Sequence, residues 1–75
     1  MELNDFIKNF AGQFDETPVE LFSSKTIFKE LEEWNSLTAL SIIAMIDEEY
    51  EKTITGANLR SSSTIEELYS LVLSK

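Results

Sequence analysis

Apolar residues recur at intervals of three and four along residues 2–14 of the chain. This spacing places them on one stripe of a helix, with polar residues on the other side. The stripe consists of Leu3, Phe6, Ile7, Phe10, Ala11 and Phe14. The pattern predicts an amphipathic first helix. Its three phenylalanines favour a core-filling role over the alternative of a ligand pocket.

The helical pattern stops at Pro18 and resumes only at Asn35. Pro18 has no backbone donor and keeps Thr17 out of the helical region. Because so long an unstructured connection is unusual, we expect its apolar residues to pin it and a short helical turn to form near residues 26–31. Those apolar residues are Phe22, Ile27, Phe28 and Leu31. A long crossover of this kind can join two roughly parallel helices.

A second helix is predicted over residues 36–51. Asn35 is a favoured N-cap residue, and Trp34 just outside it is placed to pack toward Ala39 as a hydrophobic staple. On a helical wheel, one arc is apolar and is predicted to face the core. It contains Ala39, Ile42, Ile43, Ile46 and Tyr50.

The opposite side of this second helix mixes outward apolar residues near Ser36 with carboxylates further along. Such a mixture is typical of a protein-docking surface, although a covering loop would make it an ordinary amphipathic helix. We call this candidate surface the docking face. It comprises Asn35, Leu37, Leu40, Ser41, Ala44, Asp47 and Glu48.

The remaining chain predicts a turn at Gly56, one short helical turn over residues 57–60, and a last helix. Ser63 and Glu66 have the spacing of a capping box at the start of that helix. Its apolar stripe is Ile65, Leu68, Tyr69 and Val72. The fold class predicted is therefore all-α: a single domain over residues 1–75, built as a small four-helix bundle of three long helices and one short, with a long first loop.

Composition restricts the chemistry. The 75 residues include no cysteine and no histidine, so thiol nucleophiles, thiolate or imidazole metal sites and the usual general base are missing, and we expect no enzyme activity. Fourteen acidic against six basic residues give a net charge of −8. This charge disfavours nucleic acid and anionic membranes and favours a basic protein partner, or it serves solubility alone. Without a signal peptide or membrane-length apolar run, we expect a cytoplasmic monomer.

Ser36 is the one residue singled out for chemistry. Without histidine or cysteine nearby, it cannot be an activated nucleophile of the serine-hydrolase kind. At the first position of a helix, however, a phosphate ester on its hydroxyl would lie over free backbone amides and the positive end of the helix dipole. On position alone an ordinary helix start is the favoured interpretation, since serine is commonplace there.

Residues 34–50 read Trp-Asn-Ser-Leu-Thr-Ala-Leu-Ser-Ile-Ile-Ala-Met-Ile-Asp-Glu-Glu-Tyr. This run resembles the second helix of acyl carrier proteins, which has an Asp-Ser-Leu signature, an apolar helix and a Glu-Glu-Phe-like end. The likeness extends over the whole chain, through the long first loop, the short third helix and the closing residues 64–68. It implies that Ser36 accepts 4′-phosphopantetheine from coenzyme A. The thiol of that arm then carries acyl groups as thioesters in fatty acid or secondary-metabolite biosynthesis.

The resemblance also implies partners: a phosphopantetheinyl transferase, and acyl-loading and acyl-processing enzymes with basic docking surfaces. Asn35 stands where the family has aspartate, and Thr38 and Ser41 stand where typical fatty-acid carriers are acidic. Residues 30–34 lack the customary glycine. These departures indicate a specialised carrier. Two alternatives remain. One is an aminoacyl or peptidyl carrier, and the other is a non-carrier module that binds partners through Leu37 and Leu40.

Overall fold

The computed structural model describes residues 2–75, which form four α-helices. They are α1 (Leu3–Ala11), α2 (Ser36–Tyr50), α3 (Gly56–Ser61) and α4 (Ile65–Leu73). Two single-turn 3-10 helices, Val19–Leu21 and Phe28–Glu30, lie in the long first loop. The described residues form no β-strand, only an isolated antiparallel bridge between Ile27 and Thr64. The predicted all-α bundle of three longer helices and one short helix is confirmed.

α1 ends three residues earlier than predicted. The amide of Gln13 donates to the Phe10 carbonyl at 3.1 Å and the amide of Phe14 to the Ala11 carbonyl at 3.0 Å, so the chain tightens into three-residue turns. Phe14 nevertheless stays buried and stacks on Phe10, with ring centroids 5.6 Å apart. The predicted apolar stripe is therefore correct even where the helix has ended.

The core lies where α1, α2 and α4 meet the long loop. Its fully buried side chains come from all four of these segments: Phe6, Phe10, Phe28, Ile42, Ile46, Ile65, Leu68 and Val72. The rings of Phe10 and Phe28 pack edge to face at 5.4 Å. Burying one side chain of this size stabilises a fold by about 1.5–3 kcal/mol, so this cluster dominates the stability of the bundle.

The long loop is held by side chains and by backbone. Phe22 and Phe28 are buried as predicted and Leu31 is partly buried, but Ile27 is 45% exposed, so its predicted role as an anchor is wrong. The backbone compensates at that point, because the amide of Ile65 donates to the Thr26 carbonyl at 3.2 Å. The start of α4 thus supplies a bond that fixes the loop without help from the Ile27 side chain.

α2 begins where the sequence predicts, with Asn35 as its N-cap. Of the predicted core arc, Ile42 and Ile46 are buried, and Ala39, Ile43 and Tyr50 pack against the core while partly exposed. Met45 is also buried, which was not predicted. Because apolar residues flank both edges of the arc, periodicity alone did not fix which edge turns inward.

Two predictions near the C-terminal end are wrong in detail. Gly56 does not form a turn but begins α3, because Thr55 and Asn58 cap that helix reciprocally. The cap of α4 is Thr64, one residue later than Ser63: its hydroxyl accepts from the amide of Glu67 at 3.2 Å. The capping box predicted from Ser63 and Glu66 is therefore not formed.

The predicted apolar stripe of α4 is confirmed. Ile65, Leu68 and Val72 are fully buried, and Tyr69 is partly buried with its ring 5.4 Å from that of Phe6. α4 thus packs this stripe against α1 and closes the bundle.

Candidate functional site

Ser36 is exposed at the first position of α2. Its hydroxyl makes no hydrogen bond to any residue in the range 2–75. The reason is local: Asn35, in extended conformation with φ −156°, does the capping, so the Ser36 side chain is not needed to satisfy the helix end. The sequence thus leaves a serine hydroxyl available to a partner.

Asn35 accepts hydrogen bonds from most of the backbone amides at the start of α2. Its side-chain oxygen accepts from the amides of Leu37 at 2.9 Å and Thr38 at 3.0 Å, and its carbonyl accepts from the amide of Ala39 at 2.9 Å. Of the first four amides of α2, only that of Ser36 is left without a bond among the described residues. The expectation of several free amides beneath a phosphate ester is therefore wrong, because the cap takes the others.

Glu33 fixes the segment that leads into the site. Its carboxylate accepts from the backbone amides of Asp15 at 3.1 Å, Glu16 at 2.9 Å and Thr17 at 2.6 Å, and from the Thr17 hydroxyl. The Thr17 hydroxyl has the largest effect and holds the pKa of Glu33 below its ordinary value. Desolvation, the second-largest effect, opposes it, and the three amides each add a smaller lowering of the pKa. The Glu33 carbonyl in turn accepts from the Thr38 hydroxyl at 2.7 Å.

The role of Glu33 was not predicted from the sequence. No local pattern marks a carboxylate whose partners lie 16 to 18 positions earlier in the chain.

A groove of about 300 Å³ opens beside Ser36, between the start of α2 and α3. Apolar and small residues line most of it, and two cationic side chains complete it. We call it the cationic groove: Lys29, Trp34, Asn35, Ser36, Ala39, Gly56, Leu59 and Arg60. Trp34 and Ala39, the predicted staple pair, both line it, and the Trp34 ring packs edge to face on Phe28 at 4.9 Å.

A recess of opposite character lies on the other side of the α2 start. We call it the acidic recess: Gln13, Asp15, Glu16, Glu32, Glu33, Asn35, Leu37, Thr38 and Ser41, with a volume of about 440 Å³. Asn35 lines both recesses. The start of α2 therefore separates two recesses of different charge. The charged residues of the cationic groove are both basic, whereas the acidic recess has four carboxylates.

The docking face lies on the surface of α2. Leu37 is 74% and Leu40 61% exposed, and Ala44, Asp47 and Glu48 are also exposed. Asn35 is exposed at the cap, whereas Ser41 is partly buried. The loop therefore does not cover the two leucines, and the structure brings an exposed apolar pair and two carboxylates onto the helix that begins with Ser36.

The arrangement presents an exposed hydroxyl, and the chain has neither histidine nor cysteine. Residues 2–75 bring together no group of three or more side chains that could hold a metal ion. None of their helices is both long and apolar enough to span a membrane. Comparison with protein-family models, curated proteins and solved structures finds no match. Function must therefore be inferred from the chemistry around Ser36.

Proposed function

We propose that this protein is a carrier whose Ser36 hydroxyl receives a 4′-phosphopantetheine arm from coenzyme A, attached by a separate phosphopantetheinyl transferase. The observation that carries the proposal is the Ser36 hydroxyl itself, exposed and without a hydrogen bond among the described residues, at the first position of the central helix. The arm supplies a terminal thiol that holds acyl groups as thioesters. The chain has no cysteine to do so.

The residues around Ser36 fit such a group. The groove beside the hydroxyl is lined by no carboxylate that would repel a phosphate, and Trp34, Ala39 and Leu59 give it apolar walls. Asn35 holds the start of α2 and leaves Ser36 facing outward. In the transfer the Ser36 oxygen bonds to the phosphorus that carries the pantetheine, the diphosphate bond of coenzyme A breaks, and adenosine 3′,5′-bisphosphate leaves. We assign removal of the hydroxyl proton to the transferase, because the chain has no histidine to act as the usual general base.

The docking face gives the partners of the carrier a surface to bind. Exposed Leu37 and Leu40 offer apolar area close to the attachment point, and Asp47 and Glu48 provide an acidic rim further along α2. Basic surfaces on the transferase and on acyl-loading and acyl-processing enzymes complement that rim. The setting we propose is cytoplasmic fatty acid or related secondary-metabolite biosynthesis, with the carrier acting as a monomer and not as an enzyme.

Intact mass tests the proposal. Incubation with coenzyme A and a broad-specificity transferase should add the mass of one arm to the wild type and none to Ser36→Ala. Ser63→Ala, an exposed serine outside the site, is the matched control and should be modified normally. A wild-type protein that remains folded by circular dichroism and unmodified by several transferases would contradict the proposal.

A carrier for aminoacyl or peptidyl groups is the first alternative and uses the same serine and the same arm. It differs only in cargo, which the mass of the loaded arm on protein from the native source identifies.

The exposed Leu37 and Leu40 pair supports a second alternative, a non-carrier interaction module. Such a module would bind its partner equally well as Ser36→Ala and without coenzyme A, and would lose binding when Leu37 is replaced by aspartate. A carrier would lose its function in both variants.

A further inference from the structure

The cationic groove concentrates positive charge in a chain dominated by acids. The protein has a net charge of −8 and only six basic residues, yet two of them, Lys29 and Arg60, line the groove beside Ser36. No carboxylate lines it, whereas four line the acidic recess on the other side of the α2 start. The two recesses on either side of the α2 start therefore differ in the sign of their charge, and Ser36 lines the cationic one.

The Lys29 side chain is directed toward α3. Its ammonium group donates to the backbone carbonyl of Arg60 at 2.7 Å and lies 6.0 Å from the centroid of the Phe28 ring. An ammonium group has three donors, so two of them remain after the bond to Arg60. The bond holds the Lys29 charge close to α3 and at the groove.

Arg60 contributes donors that have no acceptor. Its guanidinium forms no hydrogen bond or ion pair with any other residue between positions 2 and 75. One of its terminal nitrogens lies 3.4 Å from where a Cβ on Gly56 would be, so the side chain folds back over the first residue of α3. A guanidinium presents five N–H donors, a geometry suited to phosphate oxygens.

Lys29 and Arg60 place two positive charges at one groove, and an anion bound there would be attracted to both. We propose that Lys29 and Arg60 bind the phosphodiester that links the arm to Ser36, an inference that rests on the proposed carrier function. The phosphodiester is the anion favoured because it is bonded directly to the Ser36 oxygen, whereas the thiol and its cargo are at the far end of the arm. A groove lined by Ser36 itself meets the near end of the arm first.

The consequence is a preferred course for the arm. With the phosphodiester held by Lys29 and Arg60, the apolar segment next to it lies along the walls formed by Trp34, Ala39 and Leu59. The arm then rests on the α3 side of α2 and leaves Leu37 available to partners.

Nuclear magnetic resonance of the unmodified and modified wild type tests whether Lys29 and Arg60 bind the phosphodiester, without any substitution. The signals of the Arg60 Nε–H group and the Lys29 Cε protons should shift when the arm is added. The shift should shrink as sodium chloride is raised, because salt screens exposed charges. The Cε protons of Lys8 and Lys25, which do not line the groove, should stay unchanged. Identical Arg60 and Lys29 signals in both forms would overturn the proposal.

Variants give an independent readout on the phosphorus itself. In the modified double variant Lys29→Gln/Arg60→Gln, the ³¹P signal should move from its wild-type position and should no longer depend on salt. Arg60→Gln alone removes only an exposed side chain and should shift the ³¹P signal less. Lys8→Gln/Lys25→Gln removes the same charge elsewhere and should match the wild type. A phosphorus signal unaffected by all these changes refutes the proposal.

The two proposals fail differently. A wild-type protein that takes no arm refutes both, whereas one that takes the arm but shows no response at Arg60, Lys29 or phosphorus refutes only the binding of the phosphodiester.

Discussion

The carboxylate of Glu33 accepts a hydrogen bond from the backbone amide of Thr17 at 2.6 Å, across 16 positions of the chain. The carbonyl of the same Glu33 accepts from the hydroxyl of Thr38 in the first turn of α2. One residue therefore joins the beginning of the long loop to the helix that starts with Ser36. Because Ser36 itself makes no side-chain bond among the described residues, its position depends on such neighbours.

This relationship predicts a specific dependence of stability on pH. The hydrogen bonds hold the pKa of Glu33 below its ordinary value of 4.5 in the folded protein. The stabilisation that these bonds give the folded protein is therefore complete above pH 4.5. It is lost as the pH falls through the lower pKa that Glu33 has in the folded state. Glu33→Gln should be less stable than the wild type at neutral pH, and the difference should close in acid, as measured by urea unfolding at several pH values.

Glu20→Gln is the matched control for this experiment. Glu20 is likewise a carboxylate of the long loop, but it is exposed and its side chain has no hydrogen bond to the residues that the structure describes. Glu20→Gln should therefore change the free energy of unfolding little at any pH. A difference between Glu33→Gln and the wild type that stayed constant down to strongly acidic pH would contradict the assigned role of Glu33.

Asn35 gives a second prediction. Replacing it by alanine removes the acceptor of the Leu37 and Thr38 amides, and loss of such a cap lowers the free energy of unfolding by about 1 kcal/mol. Asn35→Asp keeps the acceptor and adds a negative charge at the positive helix end, so it should be at least as stable as the wild type. Urea unfolding at pH 7 measures both. Equal stability of Asn35→Ala and the wild type would mean that the cap is dispensable.

The exposed Leu37 gives a third prediction, on recognition by the transferase. Burial of a leucine side chain at an interface is worth about 1.5–3 kcal/mol, so Leu37→Ala should lower kcat/KM for modification about tenfold or more. The free energy of unfolding should hardly change, because Leu37 is 74% exposed. Leu73→Ala, half exposed near the end of α4, is the control. If both variants are modified at the wild-type rate, Leu37 is not a transferase contact.

Several features that depend on neighbours within about four positions were predicted from the sequence. The cap at Asn35, the stripe of Phe6 and Phe10, and the exposure of Leu37 follow from periodicity and capping alone. Local signals also have limits, since Ser63 and Thr64 are both good caps and only the folded chain places the second at the start of α4.

Long-range features were not predictable in this way. Glu33 and Thr17 are 16 positions apart, and Lys29 and Arg60 are 31 positions apart. Only the packing of the loop against α3 brings Lys29 and Arg60 together, so the cationic groove has no counterpart in any local pattern of the sequence.

The fourth prediction concerns Phe28, which joins the core to the site. Its buried ring packs on Phe10 and Trp34, so Phe28→Ala should lower the free energy of unfolding by about 3–5 kcal/mol. A 75-residue domain has only about 4–11 kcal/mol in total, so this one substitution removes a large fraction of the stability. Phe28→Leu leaves a smaller cavity and should therefore lower the free energy of unfolding by less than Phe28→Ala does. Urea unfolding followed by Trp34 fluorescence measures both, and equal losses would show that the ring is not packed as described.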